Sequence, residues 1–189
     1  MHDKADIRKT YLNARSKMDK GLIERLSIEI CSNIYLSEPF KQAIVVALYH
    51  PARCEVDVMH LLDADSKMFV FPRVSGERLE FAQAGTRGDF KKGAYGISEP
   101  VHADVIDVKD ISLILVPGIV FDRNGYRLGY GKGFYDRLLS EYPDIDTMGV
   151  CCDEFVLESL QRDPWDARVD YIVTQNGLFK TREEVATCH

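Results

Sequence analysis

Apolar residues recur every three to four positions at the start of the chain and then gather into short continuous runs. Ile7, Tyr11, Ala14 and Met18 form one stripe of an amphipathic helix, and Asp3 is placed to cap it. Leu22, Leu26, Ile30 and Ile34 predict a second helix, with Asp19 as its cap and an end before Pro39. The period then changes. Residues 43–49 (AIVVALY), 68–71 (MFVF, ending at Pro72) and 111–116 (ISLILV, stopped by Pro117-Gly118) are unbroken apolar runs, as expected of strands covered on both faces. Residues 79–81 alternate like a half-buried strand, and 147–152 (TMGVCC) and 170–174 (DYIVT) suit the last strands. Residues 56–62 suit a short helix. Strands alternating with helical stretches predict an α/β layered fold: a mostly parallel central sheet flanked by helices, preceded by an N-terminal helical pair. Without an internal repeat, a low-complexity tract or a Ser/Gly/Pro-rich linker, residues 1–189 read as a single domain.

Composition narrows the class. With 46% hydrophobic and 29% charged residues the chain can bury a core and is not a disordered type. The net charge of −6 argues against a nucleic-acid partner. That charge is unevenly spread: residues 1–25 balance to +3 and residues 122–139 to +2, whereas residues 140–170 balance to −7. Two basic segments can therefore hold an anion in an acidic protein. No apolar run is long enough for a membrane span, and the polar start lacks a signal core. The five cysteines (31, 54, 151, 152 and 188) show no disulfide or zinc spacing, which points to a reduced, cytoplasmic protein. Cys54 reads as a small apolar filler rather than a nucleophile.

The chemistry concentrates in residues 117–139, PGIVFDRNGYRLGYGKGFYDRLL. Gly129, Gly131 and Gly133 lie between the buried 111–116 run and a helix holding Tyr135, Leu138 and Leu139. Glycines let backbone N–H groups approach a ligand, and a helix N-terminus offers unpaired donors and partial positive charge. With Lys132 and Arg127 this makes either a phosphate cradle or a glycine-rich turn with surface cations. It is neither a Walker A loop nor a Rossmann fingerprint. Asn124-Gly125 signals a tight turn. Asp136, in the first helical turn, complements the helix dipole or ligates Mg²⁺; the second reading needs another carboxylate, for which Asp163, Asp166 and Asp170 are candidates.

The segment VPGIVFDRNGYRLGYGKGFYDRLL resembles the glycine-rich signature of the 5-formyltetrahydrofolate cyclo-ligases (methenyltetrahydrofolate synthetases) over nearly every position. Shorter matches follow the family's order: Lys4-x-x-x-Arg8, Glu55-Val56-Asp57, Phe71-Pro72-Arg73, Gly93 to Pro100, and Asp166-x-x-x-Asp170-Tyr-Ile-Val-Thr174. The resemblance implies an ATP- and Mg²⁺-dependent enzyme that converts 5-formyltetrahydrofolate to 5,10-methenyltetrahydrofolate, ADP and phosphate. It implies that Lys4, Arg8, Arg127, Leu128, Gly129, Tyr130, Gly131, Lys132, Gly133, Phe134 and Tyr135 hold ATP. Lys132, Arg127 and Tyr135 would act at the reacting centre, and Asp136 and Asp166 would ligate Mg²⁺. It further implies that His50, Glu55, Tyr95, Tyr130 and Phe134 contact the folate, and that the chain works as a monomer without nucleic acid or membrane. Trp165 stands where many members carry a small polar residue or His. A non-catalytic nucleotide- or folate-binding module on the same fold is the alternative, although such a module need not keep Lys132, Asp136 and Asp166 together. A sugar-phosphate isomerase or CoA transferase on a similar layout would need a different loop.

Overall fold

The computed structural model describes residues 3–64, 66–93, 98–101 and 104–181. The chain opens with α1 (Lys4–Ser16), α2 (Lys20–Leu36) and the short α3 (Glu38–Gln42), followed by β1 (Val45–Ala47). The expected short helix is a 3₁₀ helix, Val58–Asp63. Next come β2 (Met68–Ser75), β3 (Arg78–Gln83), β4 (Phe90–Lys92), β5 (Ser98–Pro100) and β6 (Val105–Ile106). The second half contains β7 (Leu113–Pro117), β8 (Val120–Asp122), β9 (Arg127–Leu128), α4 (Phe134–Glu141), β10 (Asp146–Val150), β11 (Val156–Leu157), β12 (Tyr171–Thr174) and β13 (Gly177–Lys180).

Among the described residues the main sheet has eight strands in the order β13-β12-β10-β7-β1-β2-β3-β6. The five inner strands, β12 to β2, run parallel. β13, β3 and β6 extend the edges antiparallel. Helices pack against this sheet, α2 next to β12 and β13 and α4 next to β3, which is the mixed α/β layering that the alternating pattern predicts. The continuous apolar runs become strands because both their faces are covered: Val46, Ala47, Leu113, Leu115 and Val116 are fully buried. Phe40, Phe71, Phe81 and Phe121 fill the interior around them.

The winding direction reverses in the middle of the sheet. From β1 the chain proceeds outward to β2 and β3, then returns to the other side of β1 for β7, β10 and β12. β1 and β7 are thus parallel neighbours whose following loops diverge, the point at which open α/β sheets leave a crevice beyond the strands' carboxyl ends.

Several local expectations change. Asp3 stands at the N-cap of α1, but its side chain accepts no capping bond; its carbonyl takes the Ile7 N–H instead. Ala14 is exposed, because Arg15 rather than Ala14 turns inward; Met18 lies just beyond the helix but still packs against the core. Asp19 does cap α2, accepting from the Leu22 N–H at 3.1 Å. Pro39 opens α3 near its first position, where a missing N–H costs nothing. Pro72 does not end β2. Ladder pairing with β1 stops at Val70, so beyond it β2 is paired as a strand with β3 alone; Pro72 sits opposite Phe81, and on the other side the Val74 N–H donates to Glu99 Oε1 of β5 at 3.2 Å. Cys151 and Cys152 follow β10 rather than belonging to it, and both are buried.

Candidate active site

A cleft of about 750 Å³ opens at the reversal point between β1 and β7. One wall is the 49–55 segment after β1; the opposite wall is Pro117, Ile119 and the loop from Arg127 to Asp136; α1 lends Lys4, Arg8 and Leu12, and Asp166 closes one end. Residues brought together here from the sequence reading are Lys4, Arg8, His50, Glu55, all of 127–136, and Asp166. Tyr95 lies outside the described residues.

The glycine loop leads from β9 into α4. Gly131 and Gly133 have φ of 88° and 66°, a left-handed backbone that other L residues rarely adopt. Gly133 is the N-cap of α4 and supplies no capping side chain, so the first-turn N–H groups of this helix are left for another acceptor. Donors at a helix N-terminus beside a cleft suit a phosphate. The loop is fixed from outside by Arg8, whose Nε donates to the Gly129 carbonyl at 2.9 Å. Lys132 is exposed at the cleft.

Lys4 and Arg127 are tied to acids. Lys4 Nζ bonds Asp163 Oδ2 at 2.7 Å and also pairs with Asp166 Oδ2. Burial works against its ammonium, but the two acids outweigh burial and raise its pKa. Arg127 is buried, with its guanidinium 3.2 Å from Asp136 Oδ1 and 3.1 Å from the Ala167 carbonyl, and it lies 5.7 Å from the Tyr135 ring centre. Burial lowers the Arg127 pKa against the opposing pull of Asp136. Arg127 therefore holds Asp136 and Tyr135 in place.

Asp136 and Asp166 stand on adjoining pieces of chain, because Asp136 Oδ1 also accepts from the Ala167 N–H at 3.3 Å. The contacts of Asp136 fall on Oδ1, while those of Asp166 fall on Oδ2, which Lys4 shares with the Asp163 N–H. One oxygen of each carboxylate is left out of these contacts. Two carboxylates beside a phosphate-type loop are the usual protein share of a Mg²⁺ site, the remaining ligands being phosphate oxygens and water. The donor set fits that ion.

The far end of the cleft is built around Glu55, which is 8% exposed. Arg53 and Cys54 both have left-handed φ, 50° and 59°. This tight turn sends Glu55 inward and leaves Cys54 exposed, so Cys54 is not the buried filler its size suggests. Glu55 Oε2 accepts from the Ala52 N–H at 3.0 Å and Oε1 from the Tyr130 hydroxyl at 2.9 Å. Arg15 Nη2 is 3.7 Å from Oε1. Burial raises the Glu55 pKa, and Arg15, Ala52, Tyr130 and Arg53 oppose that rise. Burial also pushes the Tyr130 and Tyr135 phenols upward, with Glu55 adding to both shifts, so both hydroxyls are donors at neutral pH. His50 lies edge-on to Phe90 at 5.0 Å, and Phe134 stacks with Arg137 at 5.3 Å. Two phenols, a carboxylate and apolar walls suit a flat, hydrogen-bonding heterocycle.

Arg15 and Arg53 were missed by the sequence reading. Arg53 lies over the Tyr130 ring at 5.0 Å, and no sequence signal marks it. Arg15 had one: with Lys4 and Arg8 it falls at helical spacing on one face of α1, a face the apolar stripe had masked.

An open α/β fold with a glycine loop at a helix N-terminus, paired carboxylates and a part-apolar cleft at its switch point is the layout of a small-molecule enzyme. The sequence profile of the 5-formyltetrahydrofolate cyclo-ligase family matches residues 1–175, and the chain belongs to that family. A probable 5-formyltetrahydrofolate cyclo-ligase of Schizosaccharomyces pombe is 28% identical over 198 aligned positions, covering 94% of this chain and 97% of the relative. The Escherichia coli K12 5-formyltetrahydrofolate cyclo-ligase is 31% identical over 88 positions, 42% of this chain and 48% of its own. Among solved structures, the 5,10-methenyltetrahydrofolate synthetase of Aquifex aeolicus superimposes with a TM-score of 0.84 at 35% identity, over 98% of this chain and 96% of that one. No helix among the described residues is long and apolar enough to cross a membrane.

Proposed function

We propose that the chain catalyses the ATP-driven cyclisation of 5-formyltetrahydrofolate to 5,10-methenyltetrahydrofolate, acting as a one-domain cytoplasmic monomer. The observation that carries this reading is a single cleft holding both halves of the chemistry: an uncapped α4 N-terminus with Lys132 and Arg8 at one end, and buried Glu55 with its tyrosines at the other.

The N5-formyl group is an amide, and its oxygen is a poor leaving group. In the proposed sequence the formyl oxygen bonds to the γ-phosphorus as the bridging P–O bond to ADP breaks. N10 then attacks the formyl carbon, loses its proton and closes the ring. The C–O bond breaks, and the former formyl oxygen leaves in phosphate. Catalysis of such a transfer is mostly alignment and charge neutralisation. The loop N–H groups and Lys132 would receive the phosphates. Arg127 would hold Asp136 and Tyr135, and Tyr135 would donate toward the formyl oxygen. Lys4 would orient Asp166. Glu55 would accept paired pterin N–H groups, with Tyr130, Phe134 and His50 around the ring. Asp136 and Asp166 would hold Mg²⁺, which when bound offsets phosphate charge.

The test is substrate labelled with ¹⁸O in the formyl group. The label should appear in inorganic phosphate, with ADP and methenyl product formed in equal amounts. Label released as water would exclude the phosphorylated intermediate.

A further inference from the structure

We infer that Arg15 is a positioning residue for the folate end of the cleft, holding the Glu55 carboxylate and the Tyr130 hydroxyl in register for the substrate. The inference rests on the reading that Glu55 receives the pterin. Arg15 is 4% exposed on the inner face of α1. Its Nη1 donates to the Gly118 carbonyl at 2.9 Å, which anchors the guanidinium on the segment after β7. Its Nη2 donates to the Tyr130 hydroxyl at 2.6 Å and faces Glu55 Oε1 at 3.7 Å. The Tyr130 hydroxyl in turn donates to that same Oε1. A buried carboxylate requires a partner charge, and Arg15 supplies it from α1.

Tyr130 belongs to the glycine loop, but its hydroxyl is turned to Arg15 and Glu55, so this contact serves the folate end. A pterin that donates to both oxygens of Glu55 competes with Tyr130 at Oε1, and Arg15 keeps the released hydroxyl close by. The groups facing Glu55 are Arg15 from α1, Arg53 from its own loop, Tyr130 from the glycine loop, Tyr49 after β1 and Tyr135 from α4. Arg15 and Arg53 are the cations of this set. Arg15 is the buried one, so its loss moves Glu55 toward its protonated form, which can no longer accept at both oxygens.

The experiment compares wild type, Arg15→Lys and Arg15→Met in Glu55 and Glu55→Gln backgrounds, measuring KM for 5-formyltetrahydrofolate and for MgATP across pH. Arg15→Met should raise the folate KM at least roughly tenfold while the MgATP KM stays within about twofold. The acid limb of kcat/KM for folate should move to higher pH, and Arg15→Lys should recover part of both losses. In the Glu55→Gln background Arg15→Met should add less than about twofold, since the two residues act as one unit. Equal rises in both KM values, an unmoved acid limb, or an undiminished effect beside Glu55→Gln would overturn the role. If Arg15→Met does not fold, Arg15→Lys decides the matter: its folate KM should rise alone, and a parallel rise for MgATP counts against the role. A wild type that forms no methenyl product removes the functional reading and this role together. An active Arg15→Met enzyme with an unchanged folate KM removes only this role.

Discussion

Lys132 is exposed beside an uncapped helix N-terminus, whereas Arg127 is buried against Asp136. The contrast decides which substitutions report on chemistry. Lys132→Ala removes a cation from the cradle without touching the core, so activity should fall on the order of a hundredfold or more with an unchanged thermal melt. Asp136→Ala would strip a buried guanidinium of its partner, so Asp136→Asn is the informative change. It should lower activity comparably and shift the activity optimum to higher Mg²⁺, and loss of the fold instead would make Asp136 a structural residue. Glu55 offers a sign test. Burial raises its pKa above the ordinary 4.5, so the folded state binds more protons than the unfolded state between the two values, and stability falls as pH rises through that window. Glu55→Gln removes this penalty. Its melting temperature relative to wild type should climb as pH rises above about 4.5, while folate binding weakens at every pH. A variant less stable than wild type by a growing margin would contradict burial as the dominant cause. At this scale the motif residues were legible because their spacing is local. The site roles of Arg15 and Arg53 were not, because both reach Tyr130, far away in sequence.

The elements follow the same division. α2 and the buried strands were readable from periodicity and apolar runs, since each meets the sheet on its own terms. β2 ran past Pro72 because its far half is ladder-paired with one strand alone, a fact of sheet order that no local pattern contains. The short β8–β9 hairpin matters more for function. Asp122 Oδ1 accepts from the Asn124 and Tyr126 N–H groups, and Oδ2 accepts from Leu160 at 2.8 Å. That one side chain closes the Asn124-Gly125 turn and binds the hairpin to the acidic segment. The glycine loop then depends on backbone freedom at its end. Gly133→Ala should cost about 1 kcal/mol from its left-handed φ, roughly 2–4 °C in melting temperature. Activity should fall far more, because the N–H groups of α4 would be re-aimed. Equal and small losses in both would show that the loop is a connector.

Across the whole molecule, the separation of charge seen along the chain becomes a local arrangement. The basic N-terminal segment sends Lys4 to Asp163 and Asp166 of the acidic one, and Arg8 and Arg15 to the glycine loop. A protein of net charge −6 thus keeps cations around one cleft. Layering and parallel order were legible from alternation of strands and helices. The position of the cleft was not, because it depends on the reversal between β1 and β7. The most direct measurement is the near-ultraviolet absorbance of the methenyl product after mixing the full chain with 5-formyltetrahydrofolate and MgATP. A rise that requires both ATP and Mg²⁺, and that Lys132→Ala largely abolishes, is the predicted result. No rise, or one that proceeds equally without ATP, would contradict the assignment.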